Sequence, residues 1–192
     1  VHDVLPVRNL DPAAMPTLVE WTKFGTSVAG VTEPDINGDN VADVVVGTGN
    51  DSGNLYTLML DATAAVSSVV AVANPGTDSG FGRHPASLGD LNGDGVGDVV
   101  VAGTDAVSVV LMLSSGKILR KGPAISSATL PTNPSTVDFG SSVAAIGDVD
   151  DDGVVDIAVG DARDSDCGVD CGAVYVVLLD SRTMLAKTYT KI

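Results

Sequence analysis

The residues of this chain that could do chemistry are Asp and Asn side chains gathered in three short loops. The loops read DINGDNVAD, DLNGDGVGD and DVDDDGVVD, and they begin at Asp35, Asp90 and Asp148. In each loop, side chains that carry oxygen occupy positions 1, 3, 5 and 9. Because alternating residues of a tight turn point toward one centre, each loop offers several hard oxygen ligands to a single cation. The spacing therefore predicts metal binding.

Calcium is the cation that this ligand chemistry favours, since it takes about six to eight oxygen ligands and accepts backbone carbonyls, here from position 7. The predicted ligands are Asp35, Asn37, Asp39, Val41 and Asp43 in the first loop, Asp90, Asn92, Asp94, Val96 and Asp98 in the second, and Asp148, Asp150, Asp152, Val154 and Asp156 in the third. Position 6 is Asn or Gly, which tolerate the left-handed backbone that a sharply wound loop needs. Ordinary Asp-Gly hairpin turns are the alternative, but three copies in one frame favour three calcium ions.

The loops are not EF-hands, because an EF-hand has a bidentate Glu at position 12 and continues into a helix. Here position 12 is Val46, Val101 or Val159, and the loop continues into a β-like apolar run. Magnesium is disfavoured because it prefers few protein ligands and keeps its water.

Each loop belongs to a longer repeat that must position it. Phe-Gly pairs begin at Phe24, Phe81 and Phe139, spacings of 57 and 58 residues. Apolar runs bounded by Gly, Asp and Ser predict strands after each loop. These runs are 44–46, 55–60 and 69–73, then 99–102, 107–113 and 117–121, then 157–159, 173–179 and 184–189. Four strands per period is the size of one propeller blade.

The Phe-Gly start, the D-x-[DN]-x-D-[GN]-x-x-D loop and the segments VVVG, VVVA and IAVG resemble FG-GAP repeats, the blades of integrin α-subunit β-propellers. The resemblance covers about residues 24–192. It implies calcium held in a loop between two strands of a blade. The predicted fold class is all-β, with three FG-GAP-like, four-stranded propeller blades that carry calcium loops. Propellers close with about four to eight blades, so we expect no closed propeller from this chain by itself.

The predicted organisation is an N-terminal strand and linker at residues 1–23, followed by repeats at 24–80, 81–138 and 139–192. Three blades leave open edges that can pair with other chains. We therefore expect a homo-oligomer or a filament, in which the N-terminal strand is exchanged with a neighbour. A net charge of −15 argues against nucleic acid as a partner. No apolar stretch is long enough to predict a membrane span.

The interpretation of two further features depends on whether the protein is secreted or cytosolic. Cys167 and Cys171 lie in DCGVDCG, and a secreted protein would join them in a local disulfide, whereas a cytosolic one would keep them as thiols. Asn50 begins an Asn-Asp-Ser sequon, and residues 126–136 are rich in Ser, Thr and Pro, so both could carry covalent glycans in a secreted protein.

The sequence contains no pattern of nucleophile and base, and it has only two histidines, so we predict that the chain is not an enzyme. The predicted function is an extracellular or cell-surface calcium-binding structural or adhesion module that assembles into a filament or oligomer. The alternative is a glycan- or protein-binding propeller fragment of a larger secreted or cell-surface protein. The single tryptophan, Trp21, and an aromatic content of 4% argue against a sugar-binding platform.

Overall fold

The computed structural model describes residues 23–49, 53–76, 79–130 and 138–192. Within these ranges the secondary structure is twelve β-strands in three four-stranded antiparallel sheets. The predicted all-β fold of three four-stranded blades is thereby confirmed. The proposed N-terminal strand and the sequon at Asn50 lie outside the described residues. No helix in the described ranges is long and apolar enough to cross a membrane.

Each sheet is formed by four consecutive strands. The first contains β1 (Phe24–Val31), β2 (Asp43–Thr48), β3 (Asn54–Leu60) and β4 (Val66–Ala73). The second contains β5 (His84–Gly89), β6 (Asp98–Ala102), β7 (Val107–Met112) and β8 (Ile118–Lys121). The third contains β9 (Phe139–Gly147), β10 (Asp156–Asp161), β11 (Ala173–Asp180) and β12 (Leu185–Lys191). Every sheet lies inside one predicted repeat, while the repeat boundaries themselves stay a prediction.

The three sheets stack in chain order, and this explains the unbroken runs of valine. In β6, Val99 and Val101 pack in a cluster with the first sheet, whereas Val100 and Ala102 pack in a cluster with the third. A strand that is buried on both faces carries apolar residues at every position rather than at alternate ones. No hydrophobic cluster among the described residues joins the third sheet to the first.

The second and third Phe-Gly pairs lie where one blade meets the preceding one. Gly82 and Gly140 have φ values of 86° and 96°, in the left-handed region. A Cβ on Gly82 would lie 2.7 Å from the carbonyl oxygen of Asn54, and one on Gly140 would lie 2.9 Å from that of Ala106. Glycine is therefore required twice over, for the backbone conformation and for the close approach of the two blades.

Candidate metal centres

The first carboxylate of each loop folds the loop around itself. Its oxygens accept hydrogen bonds from backbone N–H groups of the same loop, including that of position 6. The position-6 bonds are 2.7 Å from Asn40 to Asp35, 2.8 Å from Gly95 to Asp90 and 2.7 Å from Gly153 to Asp148. Position 6 has φ values of 63°, 81° and 84° in the three loops, as its residue types predict.

The last carboxylate, at position 9, has a role that the sequence analysis missed. Its side chain is buried in all three loops, and its two oxygens accept backbone N–H bonds from loop position 2 and from the third strand of the sheet. The donors are Ile36 and Leu60 for Asp43, Leu91 and Met112 for Asp98, and Val149 and Leu179 for Asp156. An ionised carboxylate has about four lone-pair sites, so these bonds leave room for a metal. Position 9 thus links the loop to the middle of its sheet.

Burial makes the charged form of two of these carboxylates, those of Asp98 and Asp43, costly. Burial raises the pKa of Asp98 to about 6, and the negative charges of Asp94 and Asp90 also raise it. The backbone hydrogen bonds from Met112 and Leu91 act in the opposite direction and lower it. Burial likewise raises the pKa of Asp43. A bound cation favours the ionised form and would offset this cost.

The third loop is where acidic side chains converge most closely in the described residues. Carboxylate oxygens of Asp148, Asp150 and Asp156 all lie within 4.8 Å of one another. The fourth predicted side-chain ligand of this loop, Asp152, is not part of that trio. In the first two loops position 3 is an asparagine, Asn37 or Asn92, so an amide oxygen takes the place of one carboxylate.

The ammonium group of Lys187 lies against the third loop. The Lys187 ammonium lies 2.8 Å from Oδ2 of Asp150 and also contacts Oδ2 of Asp152. The carboxylates of Asp150 and Asp152 hold the pKa of this lysine above its usual range. Three convergent carboxylates and an ammonium against the loop show that these residues accept positive charge, and the donor set of hard oxygens fits calcium.

Position 5 is also held in place within each loop. Its carboxylate accepts the N–H of position 7, over 2.8 Å from Val41 to Asp39, 2.9 Å from Val96 to Asp94 and 3.0 Å from Val154 to Asp152. The use of the position-7 carbonyls as ligands stays a prediction.

The loops of neighbouring blades touch. The N–H of Gly97, which precedes Asp98, donates a 3.2 Å hydrogen bond to the carbonyl of Asp35. A Cβ on Gly97 would collide with the Pro34 carbonyl and with Val31. The first two candidate centres therefore lie side by side at one end of the sheets.

The segment between β10 and β11 forms a second ordered loop. Cys167 and Cys171 are joined in a disulfide with their Cα atoms 6.0 Å apart. Lys191 lies 2.6 Å from the buried carboxylate of Asp164, which also accepts a 3.3 Å hydrogen bond from the Tyr175 hydroxyl. The last strand thus ties this loop to the third sheet, a contact that sequence reasoning did not find.

The fold and the loops define a class of protein, the stack of propeller-type blades with one acidic loop in each blade. Comparison with known families adds a match to the FG-GAP-like repeat over residues 90–159. Integrin alpha-4 of Xenopus laevis is 27% identical over 175 residues, covering 85% of this chain. The two matches confirm the resemblance to FG-GAP repeats and integrin α-like blades that was drawn from the sequence. The chain spans only 17% of the length of that integrin.

Proposed function

We propose that the chain is an extracellular structural or adhesion module whose three acidic loops each bind one calcium ion. The observation that carries this proposal is the third loop, where three carboxylates converge and Lys187 supplies positive charge. The oxygens at positions 1, 3, 5 and 9 of each loop would hold the ion, with the position-7 carbonyl. Calcium would supply the charge that lets these carboxylates lie together. No catalytic step is assigned to the chain.

The stabilising effect of calcium would act through position 9. Asp43, Asp98 and Asp156 each bond to the third strand of their own sheet. A metal on this carboxylate would therefore fix both the loop and the neighbouring strands. Because calcium would bind the folded loops and not the unfolded chain, it would stabilise the fold by mass action.

The extracellular location is supported by two observations. A disulfide joins Cys167 to Cys171, and disulfides persist in oxidising compartments. The similar protein is an integrin alpha subunit. The alternative of a glycan-binding surface stays a prediction, and Trp21 lies outside the described residues.

Calcium titration tests the proposal. We expect calorimetry to show three ions per chain, and we expect the thermal midpoint to fall when a chelator removes them. A site filled at one hundred times its dissociation constant stabilises the fold by about 2.7 kcal/mol. Magnesium at the same concentration is the control and should have a much smaller effect. A thermal midpoint that does not respond to calcium would contradict the proposal.

Assembly of the module is supported by the outward face of the third sheet. In the first and second sheets the next blade covers this face, whereas in the third sheet the face is open to solvent. Val174 on this face is 43% exposed. Around Val174 the strand register places uncharged residues on this face, namely Ser142, Ala144, Ala158, Gly160, Val176, Leu178, Thr188 and Thr190. We propose that a blade of a second copy covers this face.

The particle size in solution tests this assembly. We expect sedimentation to show an oligomer that Val174→Asp dissociates, because a charge would be buried between blades. Val169→Asp is the matched control, since Val169 is 91% exposed in the disulfide loop and should tolerate the charge. A wild-type chain that stays monomeric at high concentration would overturn the assembly while leaving calcium binding intact.

A further inference from the structure

Lys187 reaches the third loop because of an irregularity in the last strand. Thr188 pairs with Leu178 and Ala186 pairs with Leu179, so Lys187 is the extra residue of a β-bulge. A bulge redirects the side chain of its extra residue. Here the bulge brings the ammonium group to Asp150 and Asp152, the residues at positions 3 and 5 of the loop.

The other two sheets have the same bulge with a different side chain. In the first sheet the extra residue is Ser67, between the pairs Met59–Ser68 and Leu60–Val66. In the second sheet it is Leu119, between the pairs Leu111–Arg120 and Met112–Ile118. Neither Ser67 nor Leu119 carries a charge. The lysine is therefore a special feature of the third blade at a position common to all three.

The lysine and a calcium ion would need the same oxygens. Oδ2 of Asp150 and Oδ2 of Asp152 face the ammonium, and these two residues supply positions 3 and 5 of the predicted ligand set. An ammonium group has no lone pair and cannot itself ligate a metal. Two cations in contact with the same pair of carboxylates would also repel each other.

We propose that Lys187 is an internal cation that holds the third loop in the metal-free chain and that calcium must displace. This inference rests on the proposed calcium-binding function. The third loop would then stay ordered without metal, and it would bind calcium more weakly than its carboxylates alone would allow. The lysine thereby sets the calcium concentration at which the third loop binds its ion.

The test measures calcium binding at the third loop alone. Asp39→Ala and Asp94→Ala together remove an exposed ligand from each of the first two loops, and calorimetry then reports the remaining site. In this background Lys187→Met removes the ammonium and keeps an unbranched apolar stem. Calcium no longer has to break the two ion pairs of Lys187, and each exposed pair changes the dissociation constant by a factor of roughly two to five. We therefore expect the third loop to bind calcium roughly tenfold more tightly.

Two further variants separate this effect from others. Lys191→Met is the matched control, because Lys191 is on the same strand and also contacts two carboxylates, those of Asp164 and Asp166. It changes the net charge equally and should leave the affinity of the third loop within about twofold, a shift expected from long-range charge alone. Lys187→Arg keeps the positive charge and should keep the weaker binding.

Thermal melting supplies the second readout and checks folding. Without calcium, Lys187→Met should melt below the parent chain, because the third loop loses its cation, and with saturating calcium this difference should disappear. Equal affinities in Lys187→Met and Lys191→Met would overturn the inference, as would a third loop that binds no calcium in any variant. A full chain that binds no calcium at all would instead refute the proposed function.

Discussion

Replacing Asp156 with alanine should lower the free energy of unfolding by about 2–6 kcal/mol, even when no metal is present. The Asp156 side chain is fully buried, and its two oxygens accept 2.9 Å hydrogen bonds from the backbone N–H groups of Val149 and Leu179. Alanine would leave both donors without a partner in the protein interior, at roughly 1–3 kcal/mol each. Urea denaturation in the presence of a chelator measures the loss.

Asp150→Ala is the matched control in the same loop. Asp150 is exposed, and it forms a surface ion pair with Lys187. We expect this variant to be nearly as stable as the wild type in chelator, although both variants should lose calcium from the third loop. If Asp156→Ala were destabilised only when calcium is present, position 9 would be a ligand alone and the structural role would be wrong.

Replacing Gly82 with alanine should lower the free energy of unfolding by about 2–5 kcal/mol. A left-handed backbone costs an alanine roughly 1–2 kcal/mol, and forcing a methyl group into a filled space costs about 1–3 kcal/mol more. Gly82 has a φ of 86°, and its Cβ would lie 2.7 Å from the Asn54 carbonyl oxygen in the first blade. Equilibrium unfolding in urea again measures the change.

Gly25→Ala isolates the contribution of the contact between blades. Gly25 has nearly the same φ, 85°, but nothing lies within 4 Å of the position that its Cβ would take. We expect this control to lose only the cost of about 1–2 kcal/mol for the left-handed backbone. Equal losses in the two variants would mean that the Phe-Gly pair serves the local conformation and not the packing of one blade on the next.

The strands and the loops could be read from the sequence because their signals are local. All nine apolar runs became strands, and in β6 and β7 every position is buried because both faces of the sheet are covered. Position 6 of each loop could be assigned a left-handed backbone from its Asn or Gly. Position 4 also has positive φ, at Gly38, Gly93 and Asp151. The glycine at position 4 of the first two loops could have predicted this left-handed backbone, but the third loop has an aspartate there.

The missed contacts join residues that are far apart in the chain. Position 9 accepts an N–H from 14 residues away in the second blade and from 23 residues away in the third. Lys187 reaches Asp150 across 37 residues, and its direction depends on a bulge whose place is fixed by the pairing of β11 with β12. Such contacts follow from register and topology, which the pattern of one strand does not specify.

The side-by-side placement of the loops gives the molecule an electrical polarity. The Gly97–Asp35 hydrogen bond puts the first two loops at one end of the strands, and the close approaches of Gly82 and Gly140 to the preceding blades occur at the other. In the metal-free chain the first two loops together bring six aspartate side chains to that end of the stack. A surface rich in basic groups would attract that end first, and so orient the molecule before any contact is made.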